Sequence, residues 1–201
     1  MAAPTQHDWC SLQRIVKYLK NEPRLVYQYL WQRNENVIKV FVDTDFAGCL
    51  LTRKSTSGGC ALRGTHLIKH WSTTQKVVTL SSGEAELTGI VKGAAEALGI
   101  RSLSADLGWD SPLRIYADSS AAIGICKRSG IGKVRHLAVG QLWVQERLKT
   151  KDFELYKVLG TENPADILTE HVPRDVLDKH LSYLQLHRET GRAATAPMTS
   201  S

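Results

Sequence analysis

The sequence lacks the features that indicate a secreted or membrane protein. Its 201 residues contain four cysteines, none of them in a C-x-x-C pair, and no signal peptide or long apolar run is visible. A disulfide framework and a paired-cysteine metal site are therefore not indicated, and a reducing, intracellular setting is expected. A glycine-rich phosphate loop is also missing, so nothing supports an adenine-nucleotide-binding protein.

The composition is that of a globular protein with a basic surface. Hydrophobic residues make up 42% and charged residues 23%, the formal net charge is +6, and the length suits one ordinary domain with flanking segments. Such a charge can attract a polyphosphate, although a solvated face explains any single basic patch equally well. The basic residues cluster at Lys127, Arg128, Lys133 and Arg135 and again at Arg147, Lys149 and Lys151.

Hydrophobic periodicity predicts an α/β domain with a mixed sheet. The first three predicted strands follow one another closely, with a turn at Arg63, Gly64 and Thr65, and should form an antiparallel meander. Strands are predicted over residues 37–42, 58–62, 67–71, 113–117 and 153–158, and helices over 12–19, 81–107, 119–126, 142–148 and 164–169.

Four acidic residues lie at the edges of these elements: Asp43, Glu86, Asp118 and Asp166. Carboxylates on rigid elements suit hard divalent cations, and a pair of such ions can act on a phosphodiester. Each acid also has an ordinary explanation. A strand-end aspartate such as Asp43 is often a turn residue, Asp118 can cap the next helix, and Asp166 suits the first turn of a helix.

Several sequence motifs share one family resemblance. They are VDTDFAGCLLTRKSTSGGCALRGTHLIKHWSTTQKVVTLSSGEAEL, IYADSSAAIGI and GTENPADILTE. In their order they resemble the ribonuclease H domain of copia-type retrotransposon polyproteins, and residues 1–36 are similar to the connection segment that precedes it. We find no polymerase Tyr-x-Asp-Asp motif and no integrase zinc pattern, so the expected identity is the terminal piece of a reverse transcriptase polyprotein. The expected domains are this connection segment, a ribonuclease H domain over 37–187 and a disordered tail over 188–201.

The resemblance implies a fold and an activity. The implied fold is ribonuclease H-like, with a mixed five-stranded sheet of three antiparallel strands and then parallel strands, flanked by helices. The implied activity is two-metal-ion cleavage of the RNA strand of RNA–DNA hybrids during reverse transcription. Its catalytic residues and metal ligands would be Asp43, Glu86, Asp118 and Asp166, with two Mg²⁺ ions that Mn²⁺ can replace.

The implied partners are the hybrid and the polymerase region of the same polyprotein, with no membrane. The implied location is a cytoplasmic element particle or the nucleus. A different class of function stays open, namely a catalytically decayed nucleic-acid-binding or connection module.

A polar turn and a short segment before the longest helix are predicted to bind nucleic acid. Lys54, Ser55 and Thr56 would lie near the minor groove, where ribose hydroxyls distinguish RNA from DNA. Gln75 and Lys76 would contact phosphate or ribose, and the basic-loop residue Arg135 would contribute charge. Local hydrogen bonding is an equally good explanation of the Ser- and Thr-rich turn.

Some assignments depend on the family pattern more than on local chemistry. Glu84 stands three residues after Ser81, which is the spacing of a capping box, yet a helical wheel places it nearer the apolar stripe than Glu86. The preference for Glu86 therefore comes from the resemblance. Asp45 is expected to play only a supporting part beside Asp43. The family commonly has His-Ile-Asp after its basic loop, whereas this chain has His136, Leu137 and Ala138, which leaves the role of His136 open.

Overall fold

The computed structural model describes residues 3–22, 24–33, 35–130, 138–191 and 193. The elements, in chain order, are α1 (Gln6–Asn21), β1 (Leu25–Tyr27), β2 (Ile38–Thr44), β3 (Thr56–Arg63), β4 (His66–Thr74), α2 (Ser82–Asp106), β5 (Leu113–Ala117), α3 (Ser120–Lys127), α4 (Ala138–Lys149), β6 (Glu154–Lys157), 3-10 helices at Gly160–Glu162 and Asp166–Leu168, α5 (Arg174–Tyr183) and β7 (Leu186–Arg188).

The main sheet has five strands in the order β4-β3-β2-β5-β6. Strand β2 pairs antiparallel with β3, and β3 with β4, which is the predicted meander. Strand β2 also pairs parallel with β5, and β5 with β6. The predicted mixed sheet is therefore confirmed, and its centre is β2.

The central strand packs against a hydrophobic core on each face, which explains why its sequence is almost wholly apolar. Val40 and Val42 are fully buried in the larger core with residues of α2. Phe41 points to the other face, into a smaller core with Cys60 and Leu184. Strand β2 is thereby held rigidly from both sides, which makes its carboxyl end a firm base for a site.

Helix α2 lies unusually close to β2 because two glycines face the strand. A side chain at Gly89 would place its Cβ 2.3 Å from Thr44 Oγ1, and one at Gly93 would place it 2.3 Å from Val42 Cγ1. No side chain fits at either position without movement. The missing side chains thus set the distance between the start of α2 and the end of β2.

The predicted α-helix over residues 164–169 is wrong, because the only helical turn there is a 3-10 helix at Asp166–Leu168, and a second 3-10 helix precedes Asn163 at Gly160–Glu162. The Asn163 amide is buried and donates a 3.0 Å hydrogen bond to the Val42 carbonyl, while its Oδ1 accepts from the Ala165 amide. The side chain thus binds a neighbouring strand as well as its own turn. The chain is held to β2 instead of continuing as a helix.

Three elements were not predicted: α5 and the short strands β1 and β7, which pair antiparallel as a separate two-stranded sheet. Helix α1 begins with a capping box between Thr5 and Asp8 and has no buried residue. In the part of the chain that the structure describes, no helix combines the length and apolar character needed to cross a membrane. All four cysteines are free thiols.

Candidate active site

Two of the predicted acids lie at the carboxyl ends of neighbouring parallel strands. Asp43 is the penultimate residue of β2, and Asp118 follows β5 directly. Because β2 and β5 are parallel and adjacent, both side chains lie at the same edge of the sheet. Both are half-buried.

Helix α2 brings the third acid to the same edge. Its N-cap is Ser81, whose hydroxyl accepts from the Glu84 amide, and Glu86 lies in the buried face that also contains Gly89. One carboxylate oxygen from each of Asp43, Glu86 and Asp118 lies within 4.8 Å of the other two. Three acids from separate parts of the sequence thus converge on one point.

The fourth acid, Asp166, lies in the second 3-10 helix, which Asn163 holds against β2. It is half-buried and close enough to Asp43 and Asp118 to feel their charges. It is not part of the group of three whose oxygens meet within 4.8 Å. The structure thus places Asp166 beside this group, on the segment whose secondary structure was mispredicted.

The structure corrects the helical-wheel comparison of the two glutamates. Glu86 is only 9% exposed, whereas Glu84 is half-buried and its Oε2 accepts a 2.8 Å hydrogen bond from the Leu80 amide. The wheel failed because it counted large apolar residues and left out Gly89 and Gly93, which belong to the buried face. The Glu84 carboxylate thus binds the amide of Leu80, the residue before the N-cap Ser81, whereas Glu86 points to the sheet.

The crowded carboxyl groups resist ionisation. Burial, followed by repulsion from Asp43, Asp118 and Asp166, raises the pKa of Glu86 to about 9. Burial, followed by repulsion from Asp43, Asp118 and Glu170, raises the pKa of Asp166 to about 7. The pKa of Asp43 is also raised by burial, although a hydrogen bond from Thr169 opposes the shift. Without a cation, the site therefore favours protonated acids.

The negative charge of this site is not neutralised by the part of the chain that the structure describes. The buried atoms Glu86 Oε2 and Asp166 Oδ1 have no hydrogen-bond partner. Among the described residues, no lysine, arginine or histidine forms an ion pair with any of the four acids. Buried carboxylates without a partner are costly, and oxygen-only donors suit hard divalent ions. The residues therefore fit a divalent metal.

Sequence reasoning missed one residue at this edge, Thr169. Its hydroxyl donates to Asp43 Oδ2, across 126 positions of sequence. Nearby Glu170 adds a further negative charge that acts on Asp43 and Asp166. No local pattern marks Thr169, because its importance depends on a strand far away in the chain.

The polar turn predicted to bind nucleic acid makes several hydrogen bonds within the protein. Ser55 is fully buried, and its hydroxyl accepts from the Ala47 amide and lies 3.4 Å from the Thr79 hydroxyl. The Thr56 amide donates to the carboxylate of Asp45. The local hydrogen bonding that was weighed for this turn is present, while Lys54 and the Thr56 side chain stay partly exposed.

Gln75 and Lys76, which were predicted to contact phosphate or ribose, differ in burial. Gln75 is only 5% exposed, and its amide donates 2.9 Å hydrogen bonds to Ser57 Oγ and to the Ala85 carbonyl. It ties β3 to the first turn of α2, whereas Lys76 is exposed. Arg135 and His136 lie outside the described residues, so contacts from them stay predictions, as do contacts from Gln75.

Asp45 lies beyond the end of β2 and outside the group of three acids. Its carboxylate accepts from Thr56, and a side chain at Gly48 would place its Cβ 2.1 Å from Asp45 Oδ2. Asp45 therefore closes the loop after β2. The supporting part beside Asp43 that was expected from the sequence stays a prediction.

Comparison with known proteins adds to this geometry. The chain matches no family model. It is 27% identical over 186 residues, or 92% of its length, to the retrovirus-related Pol polyprotein from transposon TNT 1-94 of Nicotiana tabacum. It is also 27% identical over 191 residues, or 94% of its length, to that from transposon RE1 of Arabidopsis thaliana. Its homologues are Pol polyproteins of copia-type retrotransposons. The chain spans 14% and 13% of the lengths of these two Pol polyproteins.

The fold is ribonuclease H-like. The structure of LC11-RNase H1, isolated from compost by a metagenomic approach, matches with a TM-score of 0.53 and covers 73% of this chain and 99% of that one. The likeness concerns the fold, because only 14% of the residues are identical. The copia-type Pol resemblance and the predicted fold class are both confirmed.

Proposed function

We propose that this chain is a ribonuclease H that cleaves the RNA strand of RNA–DNA hybrids with the help of two divalent cations. The observation that carries the proposal is the convergence of Asp43, Glu86 and Asp118 within 4.8 Å at the carboxyl edge of the sheet. Asp166 lies beside them with a buried, unpartnered oxygen. Paired ions stabilise both the attacking and the leaving oxygen of a phosphodiester in hydrolysis.

The four acids would hold the ions, Mg²⁺ by preference and Mn²⁺ as a substitute. Glu86 and Asp166 must lose the protons that burial and repulsion favour, so binding of cations should release protons at neutral pH. Asp43 and Asp118 stand on strand ends and cannot move apart easily. The rigid sheet therefore resists their mutual repulsion and keeps the site open for cations.

The substrate would be recognised by charge and by ribose hydroxyls. Lys54 on the β2–β3 connection, Thr56 at the start of β3 and Lys76 on the β4–α2 connection are at least partly exposed. The Ser55 and Thr79 hydroxyls join the two connections. Lysines in these positions can bind phosphates, and a threonine hydroxyl can bond a ribose 2′-OH. Ser55 and Gln75 would act indirectly by fixing these connections.

The proposed context is retrotransposon reverse transcription. The homologues are Pol polyproteins several times longer than this chain, so the proposed partner is a polymerase region of the same polyprotein. The proposed location is a cytoplasmic element particle or the nucleus, where the hybrid would be made.

Hybrid cleavage by the purified chain in Mg²⁺ is the decisive experiment. Asp43→Asn should abolish cleavage and preserve cooperative folding and hybrid binding, because it removes one ligand charge and little packing. Asp110→Asn makes the same charge change at an exposed position away from the site and should cleave like the wild type. Duplex DNA should stay intact in every sample.

The outcomes separate the two functions. Cleavage by wild type and Asp110→Asn but not by Asp43→Asn supports the metal-dependent nuclease. A wild-type chain that binds hybrid, loses affinity as salt rises and never cleaves would support the decayed binding module instead. Equal cleavage of duplex DNA would point to another class of nuclease.

A further inference from the structure

We propose that Thr169 is a positioning residue that fixes the carboxylate of Asp43 for metal binding. The inference rests on the proposed function and assigns a role to a side chain that the four-acid site does not include. Thr169 follows Asp166 by three positions, and its hydroxyl donates to Asp43 Oδ2. It thus connects the two segments that supply Asp43 and Asp166.

The backbone of β3 determines where the Thr169 hydroxyl points. Gly58 is the partner of Asp43 in the antiparallel register between β2 and β3. A side chain on Gly58 would place its Cβ 2.6 Å from Thr169 Cγ2 and 2.9 Å from Leu168 Cβ. The threonine methyl therefore occupies the space that Gly58 leaves empty. With the methyl placed there, the hydroxyl on the same carbon is directed to Asp43.

The Thr169 hydroxyl has one hydrogen and two nearby acceptors. Besides Asp43, the Asp166 carbonyl lies 3.0 Å from Thr169 Oγ1. An ionised carboxylate is the stronger acceptor, because hydrogen bonds to charged groups are roughly twice as strong as neutral ones. When Asp43 is ionised by a bound cation, the hydrogen is therefore donated to Asp43.

A carboxylate ligand has two oxygens and can rotate about its terminal bond. A donor on Oδ2 restricts that rotation and leaves Asp43 with one defined orientation towards Glu86 and Asp118. Partners of this kind commonly change metal affinity or activity about 10- to 100-fold when they are removed. Thr169 is not one of the four acids that would hold the ions, so it would act through Asp43.

The test is a matched set of variants measured by calorimetric titration with Mn²⁺ and by hybrid cleavage. Thr169→Val keeps the shape and the methyl contact with Gly58 but has no hydroxyl, so its Mn²⁺ affinity should fall about tenfold or more. Thr169→Ser keeps the hydroxyl and should recover most of the affinity. Thr169→Ala should resemble Thr169→Val, which keeps the test valid if the valine variant folds poorly.

Two further measurements exclude a purely structural role. The melting temperature in chelator and the affinity for hybrid in Ca²⁺ should be close to wild type in both Thr169→Val and Thr169→Ser. Cleavage by Thr169→Val should need a higher Mg²⁺ concentration for half-maximal rate. A structural defect would instead lower the melting temperature and would not be repaired by serine.

The outcomes are distinct from those of the proposed function. If wild type binds no Mn²⁺, the metal site itself is wrong, and the role of Thr169 falls with it. If wild type binds Mn²⁺ and Thr169→Val binds it equally well, the positioning role alone is overturned. A loss in Thr169→Ser that equals or exceeds the loss in Thr169→Val would show that the hydroxyl alone does not position Asp43 and would also contradict the proposal.

Discussion

The acids at the carboxyl edge of the sheet and the single acid Asp152 have opposite electrostatic surroundings. Asp152, just before β6, accepts hydrogen bonds from Arg101, Arg147 and Thr150. These bonds lower the pKa of Asp152. At the carboxyl edge of the sheet, by contrast, Glu86 has a raised pKa, and no ion pair reaches it among the described residues.

The contrast distinguishes an acid that stabilises the fold from acids that are free to bind a positively charged ligand. Around Asp152 the protein supplies its own positive charge, so the network is complete without a ligand. At the carboxyl edge the fold brings acids together and, among the residues that the structure describes, supplies no cation, which costs free energy in the absence of one. A group with unpaired acids is therefore the place to expect a ligand of positive charge.

The largest expected effect on cleavage is the difference between substitutions at Glu86 and at Glu84, two residues earlier in α2. Glu86→Gln should lower hybrid cleavage by at least about a hundredfold, since it removes a proposed ligand of the ions that would stabilise the transition state. Glu84→Gln should keep most activity, because glutamine can still accept from the Leu80 amide. Steady-state cleavage rates at saturating Mg²⁺ would measure both.

The reverse pattern would be informative as well. An inactive Glu84→Gln beside an active Glu86→Gln would put Glu84 in place of Glu86 in the proposed metal site. Full activity in both variants would eliminate the four-carboxylate site. Melting temperatures measured alongside would show whether either loss reflects unfolding.

The two acidic groups should also respond to pH in opposite directions. The folded-state pKa values of Glu86 and Asp166 are about 9 and about 7, above their ordinary values of 4.5 and 3.8. Their protonated forms stabilise the fold at acid pH, and that contribution is lost as pH rises through these values. In chelator, the free energy of unfolding should therefore fall by on the order of a few kcal/mol between pH 5 and 9.

Added Ca²⁺ should reduce this loss by binding the ionised acids, although its looser geometry should not support cleavage. Glu86→Gln should flatten the profile. The lowered pKa of Asp152 acts in the other direction, since its contribution is present above its ordinary value of 3.8 and is lost only as pH falls below it. Urea unfolding across the pH range would test both, and a flat wild-type profile would contradict the shifts.

Helix α2 provides a matched comparison of close and open packing. Gly89→Ala would place Cβ 2.3 Å from Thr44 Oγ1, and such overpacking typically costs about 1–3 kcal/mol. It should also reduce cleavage by moving Glu86 from β2. Gly99 has no neighbour within 4 Å of a built Cβ, so Gly99→Ala should stabilise the helix by up to about 1 kcal/mol. Equal unfolding free energies for the two variants would contradict the close approach.

The smallest effect is expected at Asp152, whose carboxylate is already paired with two arginines. Asp152→Asn should cost about 1 kcal/mol of unfolding free energy, because the side chains of its partners Arg101 and Arg147 are partly exposed and water weakens such ion pairs. Hybrid cleavage at saturating Mg²⁺ should be unchanged. A large loss of cleavage in Asp152→Asn would break the distinction between the two acidic groups.

Much of the sheet could be predicted because each strand is a local pattern. The apolar run before Asp43 and the run 113–117 needed no knowledge of the rest of the chain. The pairing of β1 with β7 could not be predicted, since each strand has three residues and its partner lies about 160 positions away.

Only part of the site could be predicted, because some of its residues are placed by contacts with segments that are distant in the sequence. Asp43 and Asp118 follow from strand ends, which sequence patterns mark well. Asp166 was assigned to a helix because Asn163 and Pro164 look like a helix start, yet the Asn163 amide bonds to β2 instead. Thr169 carries no signal of its own, since its partner is Asp43.

The buried Asn163 amide also has a dynamic consequence. The segment 160–169 contains only single turns of 3-10 helix, and Asn163 joins it to Val42. Such a segment can open locally at a lower free energy than the sheet needs to unfold. Opening would carry Asp166 away from the other acids and relieve their repulsion. Amide hydrogens of this segment should therefore exchange faster than those of β2 in chelator, and a bound divalent ion should slow that exchange.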